Sequence, residues 1–331
     1  MTGRAGRSLS ACAAAVLLAS AARSGGAGPP TVDPFEFFRP AVVVSRADRQ
    51  HLDRGDVIVR NVPARDGEVG VFSASRIDAP PERLLTWTRA IEQFKESRYV
   101  LAIRRFSEPP VLEDLDGLVL GEEDLSAIRR CRPGNCGVKL AAGDMTALRA
   151  TVAPGADAVQ DEFKRLLLQR VETYRQGGFE QLAPYADHGE AAAPYDLFAP
   201  HFPGVVLTDS ESFFYWSREQ YGTGKPVIGV THITIVRSRA PEPEVLVLSR
   251  GVYATHYRNA SFGLTAMLRD DLTGATYLAY MNRSHLDVLG GLFGGLKRAL
   301  IEDRLRQEAG TMVRVARARL ERGDPVSSLL R

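Results

Sequence analysis

Val227-Ile228-Gly229-Val230-Thr231-His232-Ile233-Thr234-Ile235-Val236 decides the fold, because its side chains divide between two faces. Ile228, Val230, His232, Thr234 and Val236 fall on one face, and Thr231, Ile233 and Ile235 on the other. A period of two is that of a β-strand. Three further stretches follow at short intervals. Val245 to Tyr257 reads as a second strand, long enough to need a bend, for which Gly251 is the natural point. Phe262, Leu264, Ala266 and Leu268 make one face of a third, and Tyr277 to Ser284 is the fourth, after a turn at Thr273-Gly274. Short links between consecutive strands predict an antiparallel meander.

Toward the C-terminus, the joint Gly290-Gly291-Leu292-Phe293-Gly294-Gly295 leads into a long helix. Leu296, Leu300, Ile301, Leu305, Ala309, Met312, Ala316 and Leu320 are expected to share the side that lies on the concave sheet face. The other side carries Lys297, Arg298, Arg304, Arg306, Arg314, Arg317, Arg319 and Arg322, a basic surface suited either to solvent or to anionic lipid headgroups. The glycine joint lacks the Gly-Lys-Ser/Thr ending of a phosphate loop, and close packing at the turn from sheet to helix explains it.

Toward the N-terminus, Val57-Ile58-Val59 and Val69-Gly70-Val71-Phe72 flank Arg65-Asp66-Gly67, a hairpin signal. Asp78 to Glu82 opens a helix whose apolar stripe is Leu84, Trp87, Ile91 and Phe94, and Tyr99 to Phe106 returns as a strand. Residues 107–226 read as a largely helical insertion. Within it Glu113, Asp114, Asp116, Glu122, Glu123 and Asp124 are scattered capping acids rather than a facing catalytic pair. Asp157 to Gln176 is a helix ended by Gly177-Gly178. Four prolines in 184–204 predict a long loop, read as a surface wrap with a lid over a pocket as the alternative. Phe213-Phe214-Tyr215-Trp216 reads as core filling, with a ligand-stacking platform as the alternative.

The first residues read as an export signal: Arg4 and Arg7, then an apolar run from Leu9 to Ala19, then small residues suited to cleavage near residue 27. That run is too short for a bilayer, which needs ~20 residues. The apolar core of that run lies after Cys12 rather than before it, the wrong order for a lipid-anchored lipoprotein. Removing residues 1–27 takes away Arg4, Arg7 and Arg23 and no acid, so the net charge passes from +2 to about −1. Nothing in that balance calls for nucleic acid. Cys131 and Cys136 flank Pro133-Gly134, a turn that brings them within disulfide reach in an oxidising compartment.

Candidate ligand-binding residues sit on or beside the four strands: His232, Arg250, Tyr253, His256, Tyr257, Arg283 and His285. Together they are expected to form a polar end to an otherwise apolar pocket. No His-x-His or HExxH spacing supports a metal, no Gly-x-Ser-x-Gly elbow a serine nucleophile, and no fingerprint a nucleotide cofactor.

The order hairpin, helix, strand, insertion, meander, long helix resembles the helix-grip fold of the START/polyketide-cyclase (SRPBCC) superfamily, over Gly67 to Phe94 and Val227 to Leu320. Cys131 to Leu140, Tyr253-Ala254-Thr255-His256-Tyr257, Asn282-Arg283-Ser284 and Phe293 to Lys297 resemble segments of an uncharacterised family of exported bacterial proteins. The first resemblance implies a lipid-like ligand; the second implies export and no particular activity.

The expected product is an α+β protein, a curved antiparallel sheet packed on a long C-terminal helix. Its parts are a signal peptide (1–27), a tether (28–50), one domain (51–322) with the insertion at about 107–226, and a tail (323–331). The expected function is non-catalytic and requires no cofactor: a periplasmic or secreted protein holding a hydrophobic or amphipathic small molecule between sheet and helix. The alternatives are an envelope interaction or membrane-surface module, and a cyclase- or hydrolase-type enzyme using His232, His256 or His285 as acid/base.

Overall fold

The computed structural model describes residues 33–325, apart from 154, 189–192, 204, 206, 208–209, 222–223, 238–242 and 290–293. The export signal, the start of the tether, most of the glycine joint and the end of the tail lie outside the described residues.

In chain order the elements are α1 (Arg46–Asp53), β1 (Val57–Asn61), β2 (Glu68–Ile77), α2 (Pro81–Arg89), α3 (Ile91–Lys95), β3 (Val100–Arg105), α4 (Glu122–Arg130), α5 (Ala142–Ala150), α6 (Ala156–Gly177), β4 (Ser210–Glu219), β5 (Val227–Arg237), β6 (Val245–Ala254), β7 (Arg258–Arg269), β8 (Thr276–Leu286) and α7 (Gly294–Arg322). All eight strands form one curved, open antiparallel sheet in the order β1-β2-β8-β7-β6-β5-β4-β3. The meander β5 to β8 is its centre, the first hairpin joins through β2 on β8, and β3 is the far edge beside β4. The expected bend at Gly251 coincides with a register shift: Val230 pairs with Tyr253 and Thr231 with Gly251, leaving Val252 as the extra residue of a bulge.

The sheet is covered on both faces. On one, Phe72, Leu248, Phe262, Leu264 and Met281 meet Phe35, Phe38, Leu52 of α1, and Leu197, Phe198 and Phe202 of the loop before β4. Farther along the same face, Phe214, Trp216, Ile228 and Val230 pack on α4, α5 and α6. On the other face, Ile77, Phe213, Tyr215, Ile233, Ile235, Val247, Met267 and Leu278 meet α2, α3 and α7.

Three expectations need correction. Residues 33–50 are no tether: Phe35 and Phe38 are buried against Phe72, and a capping box of Ser45 and Asp48 starts α1. The insertion ends before Ser210, because the aromatic run 213–216 is part of β4, whose side chains are buried on both faces and so show no alternation. Along α7, Ala309, Val313 and Leu320 are buried, whereas Leu296 and Leu300 are each 66% exposed and Met312 45%. The helix leans over β1 and β2, with Gly310 against Val59, Arg298 donating to the Glu68 carbonyl and Arg317 to that of Gly55. Its sheet-facing side is therefore the one carrying small residues, and its first leucines overhang.

Candidate functional site

The pattern that leaves room in this protein is the choice of side chains along the centre of the sheet. Where the packed face carries Leu248, Phe262 and Leu264, the face toward α7 carries Ser249, Gly263 and Thr265 at the intervening positions. Small floor residues under a helix that approaches most closely over β1 and β2 leave a gap between them. The gap is a cavity of about 250 Å³. Its floor is Ile233, Val247, Ser249, Thr265 and Leu278, one wall is Ile91 and Phe94, and its roof is Met312, Val313, Val315 and Ala316 of α7.

One polar region of the cavity centres on Lys95, and Glu96, Tyr99, Glu308 and Arg319 also line it. Lys95, from the end of α3, places Nζ 2.9 Å from Glu219 Oε1 and 5.4 Å from the centre of the Tyr215 ring. Glu219 also accepts from the hydroxyls of Ser217 at 2.8 Å and Tyr221 at 2.7 Å. Burial alone would raise the Glu219 carboxyl, but Lys95 and Arg258 with these donors hold it at about 2. Burial likewise opposes the Lys95 charge, and Glu219 more than restores it, lifting the ammonium well above its usual value. Tyr280 reaches the same region and its phenol is pushed up to about 12, chiefly by burial. Thr88, 1% exposed, also lines the cavity, and its hydroxyl has no hydrogen-bond partner among the described residues.

None of the seven sequence-derived candidates lines this cavity. His232, Arg250 and Arg283 do share a row, Phe214-His232-Arg250-Phe262-Arg283-Gly70, but it runs across the opposite face. His232 stacks on Phe214 at 4.5 Å, lies 3.2 Å from the Tyr174 hydroxyl, and is pushed down to about 4 by burial and by Arg250. Arg250 lies over Phe198 with Nε 3.5 Å from Asp196. Arg283 is 2% exposed, 3.8 Å from Glu68, and its Nε and Nη1 have no hydrogen-bond partner among the described residues. The loop read as a wrap or lid covers this row and not the cavity, since Phe198 and Phe202 pack edge-on against Phe262.

The other four candidates lie at one end of the sheet or under the helical insertion. Tyr253 is buried and donates to the Lys139 carbonyl. His256 Nε2 is 3.0 Å from Asp124 Oδ1, and Tyr257 takes a φ of 67° with its hydroxyl accepting from the Lys225 N–H. His285 contacts Asn259, and Gly67 opposite it is at φ 77°, where a Cβ would stand 2.4 Å from the imidazole. These surround Lys139, which is 3% exposed and bonds Asp187 at 3.3 Å, Asp287 at 2.9 Å and Asn259 at 2.7 Å.

The Cys131–Cys136 disulfide, with Cα atoms 4.4 Å apart, supports this network. Its loop donates from Gly134 and Cys136 to the carbonyls of Ala186 and Asp187, pinning the Asp187 segment beside Lys139. Asp187, His188 and Asp287 bring one ligand atom each within 4.8 Å of one another, the one such group among the described residues. The Lys139 ammonium already stands at both carboxylates, so the charge a cation would supply there is present.

Sequence reasoning missed Lys95, Glu219, Tyr221 and Tyr280, and placed Tyr215 in an aromatic cluster read first as core filling. The legible signal was the small, polar alternate set Ser249, Gly263 and Thr265 on strands otherwise apolar. No family model, no curated protein and no solved structure matches this chain.

Proposed function

We propose that the protein is an exported, non-catalytic carrier that holds a small hydrophobic or amphipathic molecule between its sheet and α7, a helix-grip-like arrangement. The observation carrying this reading is the cavity itself: a mostly apolar lining under α7, with Lys95, paired to Glu219, and Tyr280 among its few polar groups. Pockets for small ligands are mostly apolar with few placed polar groups and run upward from ~300 Å³. A cavity of about 250 Å³ therefore suits a single chain or ring system rather than a two-chain lipid. No histidine lines the cavity, which leaves the acid/base enzyme reading without a group in that place. The disulfide is compatible with an oxidising compartment, as the export reading requires.

Native mass spectrometry of protein purified without detergent tests this. A bound small molecule released on activation supports it; a uniformly empty protein that also leaves neutral fluorescent apolar probes unbound contradicts it.

One observation favours a second, compatible reading, contact with an anionic membrane. Leu296, Leu300, Met312 and Val315 are exposed on α7, on the helix that also carries Lys297 and Arg304. Cosedimentation with anionic but not zwitterionic vesicles is the expected result, lost in Leu296→Glu/Leu300→Glu.

A further inference from the structure

The charges around the cavity identify the kind of head group its ligand carries, an inference that rests on the carrier reading above. Four charged side chains line it, Lys95 and Arg319 against Glu96 and Glu308, and Glu219 stands behind Lys95 at 2.9 Å. The cations are already engaged. Lys95 is paired with Glu219, and Arg319 donates to the backbone carbonyls of Phe94 and Glu96. The lining as a whole carries no net charge, and Glu219 behind it is saturated by Lys95, Ser217 and Tyr221. An anionic head entering here would meet no uncommitted cation and two further carboxylates, in surroundings of lower dielectric than water.

What the cavity does offer is neutral hydroxyl chemistry. The phenols of Tyr215 and Tyr280 lie beside Lys95 and make no hydrogen bond to another described residue, and the Thr88 hydroxyl is buried and unpartnered. A buried hydroxyl left unpaired is costly, so a partner arriving with a ligand is favoured. Tyr280 keeps its proton throughout the physiological range, because its phenol titrates only at about 12. It is therefore a standing donor for an uncharged acceptor.

We propose that the cavity takes an uncharged amphiphile, an apolar chain or ring bearing a hydrogen-bond-accepting alcohol, ketone or amide group, and discriminates against fatty carboxylates.

The test is displacement of the neutral probe N-phenyl-1-naphthylamine at pH 8 by decanamide, decan-1-ol, decanoate and decylammonium, on the full exported chain and on Tyr280→Phe. The inference predicts that decanamide and decanol displace the probe at concentrations at least tenfold below decanoate and also below decylammonium. Tyr280→Phe weakens decanamide about fivefold, the size of one hydrogen bond, and weakens the apolar probe by clearly less than that. Decanoate binding as tightly as decanamide overturns the inference while leaving the carrier reading standing, and so does a Tyr280→Phe loss equal for probe and amide. Failure of every compound, probe included, overturns both. Thermal unfolding of Tyr280→Phe separates a lost contact from a lost fold.

Discussion

The two faces of the sheet are built on opposite plans. The face under the helical insertion and the N-terminal segment is filled with Phe72, Phe214, Trp216, Leu248, Phe262 and Leu264, and its histidines are paired, His232 with Tyr174 and His256 with Asp124. The face under α7 alternates large residues with Ser249, Gly263 and Thr265 and keeps a cavity. Both faces belong to the same strands, so the difference is a residue-by-residue choice rather than a consequence of topology. Close packing on one side holds the sheet in shape, and the other side is left with room.

That contrast fixes the order of mutational effects. The largest falls on the packed face: Trp216→Ala removes a side chain 2% exposed and the bond from its Nε1 to the Asp114 carbonyl at 2.8 Å. A loss of about 3–5 kcal/mol in urea unfolding is expected. Next is the pH response of His232 on the same face. Its imidazole is held at about 4, below its ordinary value, so the unfolded chain takes up the proton first on acidification. Its contribution is complete above about pH 6.5 and is lost as pH falls toward 4, about 3 kcal/mol in all. In His232→Gln that part of the acid destabilisation is absent, seen as a smaller drop in the urea midpoint between pH 7 and 4. Replacing Cys131 and Cys136 together by Ser comes next, at about 2 kcal/mol for so short a loop. The smallest effect falls on the cavity floor, where Thr265→Val shifts stability by less than about 0.5 kcal/mol. A Thr265→Val loss as large as that of Trp216→Ala would erase the distinction between the faces.

The packed half of this picture was the more legible in sequence. The four-strand meander announced itself through alternation and short links, as in Phe262, Leu264, Ala266 and Leu268. β4 did not, because Phe213 to Trp216 are large on both faces and carry no period. Phe35 and Phe38 are core residues held in a short turn, which leaves no periodic trace either. For α7, leucine spacing suggested a buried stripe, but approach to β1 is governed by Gly310 and by arginine contacts to backbone carbonyls that no hydropathy pattern records. The site was misplaced for a related reason. Histidines and arginines stand out in a sequence, and here they knit the packed face and one end of the sheet together. The cavity is made by what its floor lacks, and its Lys95–Glu219 pair joins residues far apart in the chain.

The central claim is that the space between the sheet and α7 is a binding site. Ile233→Trp fills it from the floor and Ala316→Phe from the roof, both positions lining the cavity. Titration with N-phenyl-1-naphthylamine, alongside thermal unfolding of each protein, tests it most directly. The account predicts saturable fluorescence enhancement in the parent protein and at least a tenfold weaker response in both variants, with unfolding temperatures kept within a few degrees. Equal enhancement in parent and folded variants would contradict it.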